Sequence, residues 1–93
     1  MSLLFEWDEN KARANKKKHG ISFELAATIF GDPNAITIYD NSGSREEDRY
    51  VTIGLSASGP LVVVCHTDRN NRIRIISARK ATAKERRQYE EGV

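Results

Sequence analysis

The sequence has little of what usually identifies a chemistry. Its one cysteine, Cys65, allows no internal disulfide framework and suits a reducing compartment. Together with the only two histidines, His19 and His66, it cannot make a zinc site of ordinary ligand count and spacing. A Gly-rich phosphate loop, a dinucleotide fingerprint and a carboxylate cluster suited to two magnesium ions are all missing. Glu46, Glu47 and Asp48 are consecutive, so their side chains diverge, and they read as a solvated loop rather than a metal site. Two prolines leave little scope for a linker. The longest apolar run, residues 61–65, is far too short to cross a bilayer, and Glu6 and Asp8 interrupt the apolar start a signal peptide needs. The expectation is a cytoplasmic protein with no metal, no cofactor and no membrane partner.

What remains is a chain of 93 residues, 30% charged and 39% hydrophobic, which fits one folded domain spanning residues 1–93. Its charge is unevenly spread. From Arg72 onward there are seven Lys and Arg against three Asp and Glu, although the whole chain is only +2, so the residues before Arg72 are net acidic. Such a layout points to a cationic surface aimed at a polyanion.

Residues 3–7 form a short strand-like run, and Asp8 supplies an N-cap for a helix that Gly20 closes. That helix is thin in large apolar groups, so Ala12 and Asn15 face the core. Lys11, Arg13, Lys16, Lys17 and Lys18 form its outer side, either a solvated face or a binding surface. Ser22 caps a second helix in which Phe23, Ala26, Ala27 and Phe30 form one apolar stripe, and residues 31–34 end it with turn chemistry. Strands follow at 35–39 and 49–55 on either side of a polar loop, 40–48, expected to be mobile. In the second of these, Val51, Ile53 and Leu55 are assigned to the core and Tyr50, Thr52 and Gly54 to the opposite face. After a turn at 57–60, the continuously apolar run 61–67 reads as a central strand covered on both sides. A tight connection at 68–71 leads into a last strand, 72–78, where Ile75-Ile76 breaks alternation: a bulge that re-aims Ser77 and Arg79, or double coverage. Thr82 and Glu85 form a capping box opening a short C-terminal helix. The order is β-α-α-β-β-β-β-α, an α+β fold with an antiparallel sheet, the helix pair on one face and the short last helix partly covering the other. An open sheet face bearing cations is a groove.

Cleavage of RNA without metal needs little beyond such a groove. One group takes the proton from the 2′-hydroxyl, one stabilises charge on phosphorus and one protonates the leaving 5′-oxygen. Arginine suits the second role because its planar fork binds two phosphate oxygens and stays protonated. DNA has no 2′-hydroxyl, so the route is confined to RNA.

Two blocks carry a family likeness. Phe5-Glu6-Trp7-Asp8-Glu9-Asn10-Lys11, then Asn15, Lys18-His19-Gly20-Ile21-Ser22-Phe23-Glu24, Ala26 and Phe30, resemble the N-terminal half of the BrnT family. Glu47-Asp48-Arg49-Tyr50, Gly54, Ile75-Ile76-Ser77-Ala78-Arg79-Lys80-Ala81 and Glu85-Arg86-Arg87-Gln88-Tyr89 resemble its C-terminal half, so the likeness spans nearly the whole chain. The resemblance implies a ribonuclease toxin of a bacterial type II toxin–antitoxin pair, with a RelE-like fold and cleavage of mRNA without metal. It also implies a BrnA-like ribbon-helix-helix antitoxin, with operator DNA bound only through that partner.

The candidate catalytic residues are Arg79, Arg49, Tyr89 and His19. Arg79 leaves the sheet just before the last helix and is a candidate transition-state ligand, the alternative being a salt bridge to Glu85. Arg49 opens a strand after the acidic loop. Tyr89, one turn beyond Glu85, is an acid, a base-stacking platform or a packing residue. His19 sits at a helix C-terminus, where the dipole favours its protonated form or a capping role. Arg72, Arg74, Lys80, Arg86, Lys17 and Lys18 are candidate RNA-binding cations, with Arg72 and Arg74 on one strand face. His66 and Cys65 read as core, and Trp7 as a core anchor. The competing readings are a noncatalytic RNA- or ribosome-binding module, and a structural partner of an antitoxin–DNA repressor complex. Cleavage products separate the first from RNA cleavage, and growth arrest relieved by a neighbouring gene separates the second.

Overall fold

The computed structural model describes residues 3–41 and 47–92. The chain runs β1 (Phe5–Glu6), α1 (Glu9–His19), α2 (Phe23–Ala27) with a 3-10 turn (Thr28–Gly31), β2 (Ile36–Asp40), β3 (Arg49–Leu55), β4 (Leu61–Arg69), β5 (Arg72–Lys80) and α3 (Ala83–Glu91). Among the described residues this is a mixed α+β fold of five strands and three helices. The sheet order is β1-β5-β4-β3-β2. β2 to β5 form the expected antiparallel meander, but β1 pairs with β5 in parallel, so the sheet is mixed rather than wholly antiparallel. Only Phe5 and Glu6 join it, because Asp8 starts α1 almost at once. Most of loop 40–48, including Glu46, lies outside the described residues.

The caps act as their residue types require. The Asp8 carboxylate accepts from the N–H groups of Asn10 and Lys11, and Gly20 at φ +75° lets its N–H close α1 on the Lys16 carbonyl. The Ser22 hydroxyl accepts from Leu25 N–H. Residues 23–30 do not stay one α-helix, as their stripe predicts. The chain tightens to a 3-10 turn after Ala27, and three residues per turn bring Ile29 into line behind Ala26, so both are fully buried while Phe30 is half-buried.

The main core lies between the helix pair and the sheet. Phe23, Ala26, Ile29, Ile21, Val62, Val64, Ile75 and Ala78 are buried there, with Trp7 edge-on to Phe23 at 5.9 Å between ring centres. Burying Phe23 alone is worth about 1.5–3 kcal/mol. A smaller cluster on the other face joins Ile53, Leu61 and Val63, with Tyr89 of α3 packed against it. β4 is therefore covered on both sides, as its continuous apolar run requires.

In β3 the alternation is as expected but the main core lies on the other side. Thr52 and Gly54 face the helix pair, and Val51, Ile53 and Leu55 face α3, Leu55 remaining exposed. The helix-side residues are small because helix backbone packs directly on them: a Cβ at Gly54 would stand 2.9 Å from Ile29 Cβ. His66 is a core histidine. It is 5% exposed, its Nε2 is 2.8 Å from Thr52 Oγ1, and Phe30 and Tyr50 pack on its ring. Burial pushes its pKa down, against a smaller opposing effect of Asp68.

Candidate functional site

The site follows from two features of the β4–β5 hairpin. Its turn residues, Asn70 and Asn71, both have positive φ (53° and 64°), the geometry of the tight primed turn whose twist matches that of paired strands. This pairs Arg69 directly with Arg72. Further along there is a bulge: Cys65 pairs with Ser77 and His66 with Ile75, leaving Ile76 as the extra residue. Ile75 turns into the main core and Ile76 out to the other face. Without the extra residue Arg72 and Arg74 would face away from Arg79. With it, all three stand on the face that α3 covers only in part.

One row of residues crosses that face. Glu6 of β1 pairs with Arg74, which pairs with Thr67; β3 places Arg49 next, since Tyr50 pairs with His66, and Asp40 of β2 ends the row. Two arginines thus flank a threonine, with carboxylates at the sheet edges. A second row, Arg69 and Arg72, lies two residues nearer the hairpin tip. Arg49, Thr67, Arg69, Arg74 and Ile76, with Glu47 and Lys11 from the first turn of α1, line a cleft of about 410 Å³. A second hollow of about 400 Å³ wraps the hairpin tip, where Asp68, Ile73 and Leu3 line it together with Arg69 and Arg72.

Carboxylates hold part of this cationic cleft. Arg69 donates Nε–H to Glu47 Oε2 at 3.0 Å and its terminal nitrogen to the other oxygen, a two-point clasp. Arg69 holds the Glu47 carboxyl below the usual range, and Arg74 and Arg49 act on it in the same direction. Glu47 therefore stands where an anion is stabilised by three guanidinium groups. Arg74 donates to Glu6 Oε2 at 2.9 Å. Among the described residues, Arg49 has no carboxylate within ion-pair distance. The Thr67 hydroxyl donates to the Asp48 carbonyl at 2.5 Å, tying the end of the 40–48 connection to the cleft floor.

Arg49 and Arg74 line the same cleft, and Arg72 stands in the next row. The other candidates lie elsewhere. Arg79 shares the face, but its row is that of Val63 and Ile53, four positions along β3 from Arg49, or about 13 Å. There it makes a two-point ion pair with Glu85 at 2.7 and 2.8 Å. The salt bridge raised as an alternative role for Arg79 is present, and convergence of Arg79 with Arg49 is not. Glu85 also accepts from Thr82 N–H at 2.9 Å while the Thr82 hydroxyl accepts from Glu85 N–H, so one carboxylate closes the capping box and anchors α3 to β5. Arg79 draws the Glu85 pKa down to about 2.

Tyr89 also lies apart from the cleft. Its hydroxyl donates to Asp32 Oδ2 at 2.5 Å, a bond that raises the phenol pKa and lowers that of Asp32. Arg86 is exposed on the same helix. His19, Lys17 and Lys18 occupy the far end of α1 from Lys11, and Lys80 pairs with Val62, which puts it on the helix-pair side. Sequence reasoning missed Arg69, Thr67 and Glu47, and named Lys11 only as one of five cations on the outer side of α1. Carrying the alternation of Cys65 and Thr67 two residues further identifies Arg69; nothing local marks Lys11.

Among the described residues no three of His, Cys, Asp and Glu are grouped to hold a metal ion, and no helix is long and apolar enough to cross a membrane. Comparison with curated proteins gave no match. The crystal structure of the Brucella abortus ribonuclease toxin BrnT superposes with a TM-score of 0.65, covering 87% of this chain and 99% of that one at 21% identity. This likeness bears on the fold. Residues 7–85 match the sequence model of the family described as the ribonuclease toxin, BrnT, of a type II toxin–antitoxin system. With most of its length matched, the chain belongs to the BrnT family of type II ribonuclease toxins.

Proposed function

We propose that this protein is an RNA-cleaving toxin and that a phosphodiester is cut in the cleft between Arg49 and Arg74. The observation that carries this reading is the row Arg74–Thr67–Arg49, in which two arginines from the strands on either side of β4 line one cleft on the sheet face that α3 covers only in part. Their forks match non-bridging phosphate oxygens and remain protonated throughout, so they stabilise charge as it develops on phosphorus. The 2′-oxygen attacks phosphorus and the bond to the 5′-oxygen breaks. The 2′-hydroxyl proton passes to Glu47, which a phosphate displaces from Arg69, returning its carboxyl toward the ordinary range. The leaving 5′-oxygen takes a proton from Lys11 or from water. The products are a 2′,3′-cyclic phosphate and a 5′-hydroxyl; no metal is required, and DNA is spared.

Family membership supports the remainder of the reading: an antitoxin that neutralises the enzyme, here a ribbon-helix-helix protein that also carries the complex to operator DNA, and a RelE-like description of the fold. The deciding experiment is cleavage of a defined mRNA by purified protein in EDTA. Arg49→Gln and Arg74→Gln should lose most activity while Arg79→Gln retains it. Salt-sensitive RNA binding with no cleavage products would leave a noncatalytic RNA-binding module instead. Full activity in both cleft variants would show that the site lies elsewhere.

A further inference from the structure

We propose that the cleft binds single-stranded RNA through two consecutive phosphates, one on the row Arg49–Arg74 and the next on the row Arg69–Arg72. The inference rests on the RNA reading above and adds the substrate's register. Arg69 and Arg72 are direct cross-strand partners beside the hairpin turn, and like charges in that relation destabilise a sheet unless an anion lies between them. Glu47 clasps Arg69 and Glu6 acts on it at longer range, and Asp68 stands beside the pair, but among the described residues Arg72 is exposed and makes no ion pair, so its fork is open to an anion. The two rows are separated by two residues of β4, Thr67 to Arg69, which is about 7 Å at strand rise. That is the spacing of neighbouring phosphates in a partly extended single strand.

Arg69 belongs to the second row and also lines the cleft of the first, so it can reach both phosphates. Ile76, turned outward by the bulge, gives the cleft an apolar wall against which a ribose or base edge can lie. A strand laid along the hairpin can turn its bases toward Ile76 only where they are unpaired, which favours a single strand over a duplex.

The test uses 2′-O-methyl oligonucleotides, which bind without being cut. A dinucleotide with one phosphodiester is compared with a trinucleotide with two, against the full chain and Arg72→Gln. The trinucleotide should bind at least about tenfold tighter. Its plot of log affinity against log salt should be steeper by about 0.7, the release expected for one more single-strand phosphate. Arg72→Gln should remove both differences while still binding the dinucleotide, which also shows that the variant is folded. Equal affinity and slope for the two ligands would overturn the inference, as would an Arg72→Gln defect of the same size on both. So would failure of either ligand to bind a protein that still cuts long RNA. Because each readout is binding, these outcomes are separate from loss of the cleavage reading, which the Arg49 and Arg74 variants decide.

Discussion

Asn15 pairs with Ala78 as a neighbouring strand would. Its side-chain nitrogen donates to the Ala78 carbonyl at 2.8 Å and its oxygen accepts from Ala78 N–H at 3.1 Å, across 63 residues of sequence. A second donation, to the Ile21 carbonyl at 3.0 Å, ties in the loop between the helices. β1 covers β5 only at Ile73 and Arg74, so Asn15 satisfies the strand edge where no strand lies. Asn15→Leu should lower stability by about 3 kcal/mol or more, since it strands buried backbone groups at about 1–3 kcal/mol each. Asn15→Asp should be no better, because a carboxylate cannot donate to two carbonyls. Denaturant unfolding measures both; a loss under about 1 kcal/mol in Asn15→Leu would show that the edge finds other partners.

Gly54 holds the 3-10 turn against the sheet. A methyl group there would stand 2.9 Å from Ile29 Cβ, 3.1 Å from its carbonyl oxygen and 3.2 Å from Ala35 Cβ. Gly54→Ala should therefore destabilise by about 1–3 kcal/mol through overpacking. Gly31→Ala, where a Cβ meets nothing within 4 Å, serves as the control and should unfold close to the parent.

Glu47→Gln separates the two roles given to that residue. Removing its charge frees Arg69, so affinity for an uncleavable oligonucleotide should rise several-fold, while cleavage should fall by about 10²–10⁴-fold as the proton acceptor is lost. A variant that binds and cuts like the parent would leave Glu47 with neither role.

The Arg79–Glu85 pair makes a prediction about acid. Glu85 has a folded pKa of about 2, below its ordinary value of 4.5, so the unfolded chain binds the proton first as pH falls. The stabilisation is complete above about pH 4.5 and fades as pH drops toward 2. Thermal unfolding should find Glu85→Gln less stable than the parent near neutral pH, with the gap narrowing between pH 4.5 and 2. A gap that stays constant over that window would mean that the ion pair adds nothing to stability. Arg79 is 44% exposed, so the effect is modest, as expected for a pair that solvent screens.

Local chemistry alone determined much of this protein. Asp8, Ser22, Thr82 and Gly20 set helix ends because caps act within a few residues, and the valine run of β4 required cover on both faces because each side chain there is apolar. The cationic character of the last quarter, and the family it belongs to, were equally written in the order of residues. The tertiary structure decided which cations meet. A strand's face depends on register, and one extra residue at Ile76 reverses it, so Arg72, Arg74 and Arg79 could be placed on one face only once the β4–β5 pairing was known. It also decided that Arg79 serves Glu85 while Arg69 and Lys11 reach the cleft. Those contacts join residues far apart in the chain, and alternation within one strand carries no record of its neighbours.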